Sequence, residues 1–436
     1  MALPTKDEIR FDDAVPAVAS AVAVVNEALL DQCLFLRMAD GKVSAIVPDN
    51  TLTDEQIREI TNSILVRGGR YIEANSACLT PSDIFEEDIF DSESVGLEFV
   101  EINGESTVVR VLDRRIVAQD WSRIRFDPIA GVPPLLSFYS CKGGVGRSTS
   151  VAICAAGLAD KGYNVLVIDL DIEAPGLGSI LLQPDDLPEY GAVDYLVENG
   201  ISGTDESFVR ECIAPSSIIV GRSGSVDVLP ASGLRSVQNP QNLIAKLGRA
   251  LLDDTTGPLV EQIRKLVSEA CATKKYDVVL VDVRAGLSES SAAALLSTGG
   301  YMLLFGIDNP QTFESYTYLF AHFARFSPPT SWRSRLQMVQ AKVSSAESAQ
   351  HFRERSSDLF ASYVYDEAAP DTEVVDVFNF DIEDDLAPHF AWTVEFDQNF
   401  QDFDPHVRQD QLSRSKFERA FGQFIEHVES LVAEDQ

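Results

Sequence analysis

The chain has 436 residues, 45% of them hydrophobic, with a formal net charge of −33 and a pI near 4.4. That is enough apolar material for one large and one smaller domain, each with its own core. The summed negative field works against non-specific binding to DNA or to an anionic membrane, and no dense Lys/Arg run offsets it.

The six cysteines are scattered and form no CxxC pair, and the five histidines show no ligand spacing. A reduced, cytoplasmic chain without a disulfide framework or thiolate metal site is therefore expected. The uncharged run Ala14–Asn26 is too short to cross a bilayer and follows the acidic "DEIRFDD", so it reads as a buried helix and not as a leader.

Residues 1–130 then continue as hairpin, helix, hairpin. "CLFLRMADGKVSAIVP" turns at Asp40-Gly41. "TDEQIREITNSIL" carries a Thr53 cap and helically spaced Ile57, Ile60 and Ile64. "GLEFVEINGESTVVRVLDRRIV" turns at Asn103-Gly104. The reading is a small α+β domain, with "FDPIAGVPP" as the linker after it.

From residue 131 to 436 apolar strand candidates alternate with helical stretches: "LLSFYS", "NVLVIDL", "VDVLPA", "YDVVLVDV", "YMLLFGI" and "LQMVQAKV". This is the pattern of an α/β, doubly wound, mostly parallel sheet. Between the first strand and its helix stands "CKGGVGRST". Glycines at Gly143, Gly144 and Gly146, around Val145, let backbone amides and a helix N-terminus approach an anion. Ser148 is placed to ligate magnesium and Thr149 to reach another phosphate oxygen. Against the pattern GxxxxGK[ST] the loop departs twice, with Cys141 for the first glycine and Arg147 for the lysine.

"KGGVGRST" resembles the deviant phosphate loop of the MinD/ParA family of P-loop ATPases, whose extra lysine matches Lys142. "VLVIDLDIEAPGL" resembles that family's DxD strand, with Asp169 and Asp171 at the matching positions. "YDVVLVDVRAG" is similar to its Walker B strand and glycine switch, at Asp282 and Gly286, and "GIDNPQT" to its xNPE segment. The resemblance implies a P-loop NTPase domain over 131–436 that binds ATP and Mg²⁺. By that resemblance Asp171 orients the attacking water, Asp282 holds the magnesium shell through a water, and Asp169 supports the metal or the switch. Lys142 would reach the nucleotide of a second subunit in an ATP-dependent homodimer.

Arg147 keeps the positive charge and binds phosphate through a planar fork, but it has no compact ammonium, so binding with slow hydrolysis is the expectation. Arg284 stands where relatives carry a small residue or proline. Gln340, Lys342 and the "EFDQNFQDFDP" segment are candidates for the base end.

The last helix places Phe417, Phe421, Phe424, Val428 and Leu431 on one face. Its acidic polar face favours packing on the ATPase core over a membrane. The sequence thus points to an ATP-dependent switch acting on a protein partner, through the N-terminal domain or the dimer surface. Nucleic acid and membrane are not expected partners. A nucleotide-binding but inert scaffold and an ATP-dependent DNA-partitioning protein stand as alternatives.

Overall fold

The computed structural model describes residues 9–123, 126–252, 257–326, 330–366 and 377–434. By contact density the chain divides into two units, residues 1–124 with 322–329, and residues 125–321 with 330–436. The first unit ends at 124, and a short segment far along the chain counts with it.

In the first unit the helix Phe11–Asn26 buries Ala14, Val15, Val18, Ala19 and Val22, and tolerates Pro16 in its interior. The helix Asp54–Arg67 starts at Thr53, whose hydroxyl accepts from Gln56 N while the Gln56 side chain returns to Thr53 N. Its Ile60 and Ile64 face the same core. Five strands make the sheet: β1 (Leu34–Arg37), β2 (Val43–Ile46), β3 (Cys78–Leu79), β4 (Val95–Ile102) and β5 (Glu105–Asp113), in the order β3-β2-β1-β5-β4. The two hairpins read from the sequence join through parallel pairing of β1 with β5. Beyond β4, Leu97 N donates to Arg325 O at 2.7 Å, and the Arg325 guanidinium pairs with Glu98.

The second unit holds an eight-stranded sheet of β6 (Leu135–Ser140), β7 (Asn164–Leu170), β8 (Ala214–Pro215), β9 (Ser225–Leu229), β10 (Val278–Val283), β11 (Tyr301–Gly306), β12 (Leu336–Val343) and β13 (Trp392–Glu395). Their order is β13-β12-β11-β6-β10-β7-β9-β8, parallel except where β8 runs against β9. The six predicted strands are all present, and β8 and β13 extend the sheet at its two edges.

Buried β-branched and aliphatic side chains line both faces of the central strands, as a parallel sheet covered by helices requires. The helix Arg147–Asp160 lies in the core with Val151, Ile153 and Leu158 buried. The closing helix Arg414–Glu434 packs Phe417, Phe421, Phe424 and Val428 into the same core, with Leu431 partly buried against it. Among the described residues no helix is long and apolar enough to cross a membrane. From β6 the chain crosses to β7 on one side, and from β10 it crosses back to β11 on the other side of β6. The carboxyl ends of β6, β7 and β10 therefore meet at the crevice where such sheets bind ligands.

Candidate nucleotide site

β6 is buried along its whole length and releases the loop 141–146 straight into the helix Arg147–Asp160. Gly144 and Gly146 have φ of +78° and +98°, a region that costs an L side chain energy, so glycine is required at both. A Cβ built at Gly143 or Gly144 meets nothing within 4 Å, so the loop bounds open space. The helix that follows has no side-chain cap at its N-terminus, which leaves its first amides available to an anion. Val145 points the other way, into the core.

Arg147 is buried at 8% exposure and runs between the strand tips. Its Nε donates to Asp282 Oδ1, its Nη2 donates to Asp171 Oδ2 at 2.9 Å, and Nη1 reaches Ser140 Oγ at 3.5 Å. The sequence assigned this side chain to phosphate, whereas the structure places it on the two carboxylates. Burial works against its charge, but Asp282 and Asp171 outweigh that and hold the guanidinium above its ordinary value. Ser148 Oγ donates to the other Asp282 oxygen at 2.6 Å. Burial pushes Asp282 up, and Arg147 and Ser148 pull it back only in part.

Asp169 and Asp282 are register partners on β7 and β10. Asp169 is fully buried and turned to its own loop, accepting from the amides of Asp171 at 3.1 Å, Gly176 at 3.1 Å and Leu177 at 3.0 Å. Burial, then the charge of Asp282, lift it to about 7, against the pull of the Gly176 and Leu177 amides. Its geometry is that of a residue shaping the segment that carries Asp171. Among the described residues no hydrogen bond joins it to the loop 141–146.

The glycine switch is tied to the same place, since Gly286 N donates to Ser140 O and Tyr139 Oη donates to Gly286 O, both at 3.0 Å. Tyr139 also meets Cys141 Sγ at 3.6 Å, and burial pushes that thiol up to about 12. Lys142 is exposed, and its Nζ donates to Gln311 Oε1 at 2.7 Å, in the first turn of the helix Pro310–Phe323.

Beside the loop lies a cavity of about 350 Å³ bounded by Gly144, Gly146, Thr149, Lys342, Glu395, Phe396, Phe400, Phe403 and Phe421. The "EFDQNFQDFDP" segment thus supplies one wall. Lys342, with φ of +57°, stands where the β12–β13 register shifts, and its Nζ donates to Gly144 O at 2.7 Å. Gln340 is turned away, buried with its Nε2 on Ser348 O and Oγ. Sequence reasoning gave no role to Glu173, which forms an ion pair with Arg284 at 2.5 Å and accepts from Ser290 Oγ at 3.3 Å.

Residues 134–308 match the AAA_31 family model, described as an AAA domain. Over this stretch the chain has a P-loop NTPase fold. It contains the loop, the DxD segment and the strand of Asp282, the same residues on which the MinD/ParA resemblance rests. No curated protein matches the chain.

Among solved structures the chain is similar to pNOB8 ParA at 17% identity, with 70% of this chain and 100% of that chain covered and a TM-score of 0.45. It is also similar to pNOB8 ParA bound to nonspecific DNA, at 15%, 70%, 100% and 0.43 on the same measures. A third similar structure is a ParA family ATPase from Chlorobium tepidum TLS, at 15%, 67%, 99% and 0.44.

Proposed function

We propose that the second unit binds Mg·ATP on the loop 143–149 and hydrolyses it slowly, as an ATP-dependent dimerising switch for a protein partner. The observation that carries this reading is the uncapped helix start above an open glycine turn, facing Asp171 and Asp282 at the tips of adjacent strands. The donor set fits the implied metal, because Ser148 Oγ and Asp282 are hard oxygens already side by side, as a magnesium site on a nucleotide needs. Magnesium, when bound, supplies positive charge at the phosphates.

The chain's own residues do the remainder. The amides of 143–149 hold the anion, and Ser148 and Asp282 hold the metal shell. Asp171 orients water, and Arg147 turns its fork from the carboxylates to the phosphate oxygens. Lys142, exposed and held by the Gln311 contact, can turn to reach a second subunit. The first unit serves partner recognition. In this reading the chain acts in the cytoplasm, and its net charge of −33 works against DNA as the target.

A second reading, a nucleotide-binding but inert domain, draws on the double ion pair that holds Arg147 away from the loop. Calorimetric titration with Mg·ATP and a size measurement test the first reading. Heat of binding and a dimer that Lys142→Ala abolishes are expected. Absence of any binding refutes the reading, and binding without phosphate release, alone or with a partner, selects the inert one.

A further inference from the structure

Asp171 is served by two arginines, and only one of them belongs to the phosphate loop. Arg147 Nη2 bonds Oδ2 at 2.9 Å, while the other oxygen, Oδ1, is buried and accepts no hydrogen bond. Facing that oxygen at 3.8 Å is Arg284 Nη1, the same nitrogen that is ion-paired with Glu173 Oε2 at 2.5 Å. The unbonded Asp171 oxygen thus stands about 0.6 Å beyond bonding range of a guanidinium that Glu173 already holds.

Arg284 is held from behind. Its guanidinium is ion-paired with Glu173, Ser290 Oγ donates to Glu173, and Ser291 Oγ donates to the Arg284 carbonyl at 3.2 Å. Arg284 follows β10 directly, two residues before the Gly286 turn that is stitched to β6.

Resting on the ATPase reading, we propose that Arg284 is the positioning residue of Asp171, closing onto its free oxygen when Arg147 turns to a bound triphosphate. One guanidinium cannot serve both ends, because the Nε and Nη2 edges of Arg147 are filled by Asp282 and Asp171. Once they are withdrawn, Asp171, at 8% exposure, would be left as a buried charge without a partner. Asp282 is compensated by the incoming metal, but Asp171 is not. Arg284 supplies that compensation from the opposite side and fixes the carboxylate plane that aims the water. Glu173 keeps the arginine off the phosphates, so its effect falls on turnover and not on affinity.

The test is a crystal structure of the full chain with Mg·AMPPNP, together with affinity for a fluorescent ATP analogue and single-turnover hydrolysis for Arg284→Gln, Arg284→Lys and Glu173→Gln. The expected structure has Arg147 on the phosphates and Arg284 within hydrogen-bond distance of Asp171. Arg284→Gln should bind nucleotide within about threefold of wild type and hydrolyse it at least about tenfold more slowly. Arg284→Lys should recover most of the rate, and Glu173→Gln should slow it less. Nucleotide bound with Arg284 directed at phosphate or solvent overturns the proposal, even for a protein that does not turn over. So does Arg284→Gln hydrolysing at the wild-type rate, or losing affinity instead. Failure of the wild type to bind nucleotide is seen in the affinity measurement alone; it removes the ATPase reading and the proposal with it.

Discussion

Replacing Arg147 with alanine should destabilise the nucleotide-free protein far more than loss of one side chain from a loop normally does. The guanidinium is the shared partner of Asp171 and Asp282, and Asp169 lies in register beside Asp282. Its removal leaves carboxylates gathered in a region where Asp169 and Asp282 are fully buried. Breaking a buried ion pair by deleting one partner costs about 3–5 kcal/mol. At roughly 2–4 °C per kcal/mol for a domain of this size, the second unit should unfold about 10 °C lower.

Arg147→Lys keeps a charge but not the fork that spans both acids, and should lose about half as much. The penalty also has a sign in pH. Burial already holds Asp282 and Asp169 above the ordinary carboxylate range, Asp169 at about 7, and loss of Arg147 removes the opposing pull on Asp282, so the variant gains stability as pH falls from about 7 toward that range. Calorimetric scans of both proteins across pH 5.5–7.5 make the comparison. A loss under about 2 °C, or a gap between variant and wild type that does not narrow on acidification, refutes the assignment of Arg147 to the two acids.

Two further outcomes follow from groups away from the loop. His322 is lowered to about 4 by burial, which outweighs its contact with the Trp121 carbonyl. Unfolding lets it take up a proton, so its contribution is complete above about 6.5 and disappears as pH falls toward 4, at up to about 1.4 kcal/mol per pH unit. His322→Gln should flatten that slope in acid unfolding of the first unit, and an unchanged slope would assign the acid sensitivity to other groups. Phe424 is fully buried, with its ring centroid 6.0 Å from Phe138, 5.8 Å from Phe305 and 6.3 Å from Trp392. Phe424→Ala should therefore cost about 3–5 kcal/mol in denaturant titration. Unchanged stability with altered binding to lipid vesicles would return the last helix to a membrane role.

The central sheet was legible because its strands are apolar runs bounded by turns, a local signal. The edges were not. Ala214–Pro215 is two residues long, and Trp392–Glu395 alternates for only four, so their pairing is decided by neighbours distant in sequence. The same applies to the joining of the two hairpins, which depends on β1 meeting β5 across about seventy residues.

At the site, the loop, Asp171 and Asp282 were readable from motif order. Where Arg147 points was not, since that depends on the β7–β10 register that brings two carboxylates within its span. Asp169 was read as supporting the metal or the switch, and its direction is set by three amides of a loop that no periodicity describes. Glu173 looked like one surface acid among 68 Asp and Glu residues, and only its approach to Arg284 distinguishes it.

The thiol at the entrance of the phosphate loop bears on how the protein tolerates electrophiles. With burial pushing the Cys141 thiol up to about 12, the sulfur anion is scarcer at neutral pH than on an ordinary thiol. Maleimides, peroxide and nitrosating agents react through that anion, so a residue beside the glycines that looks exploitable for covalent inhibition is chemically quiet. A compound meant to block the loop would have to hold on by fit alone.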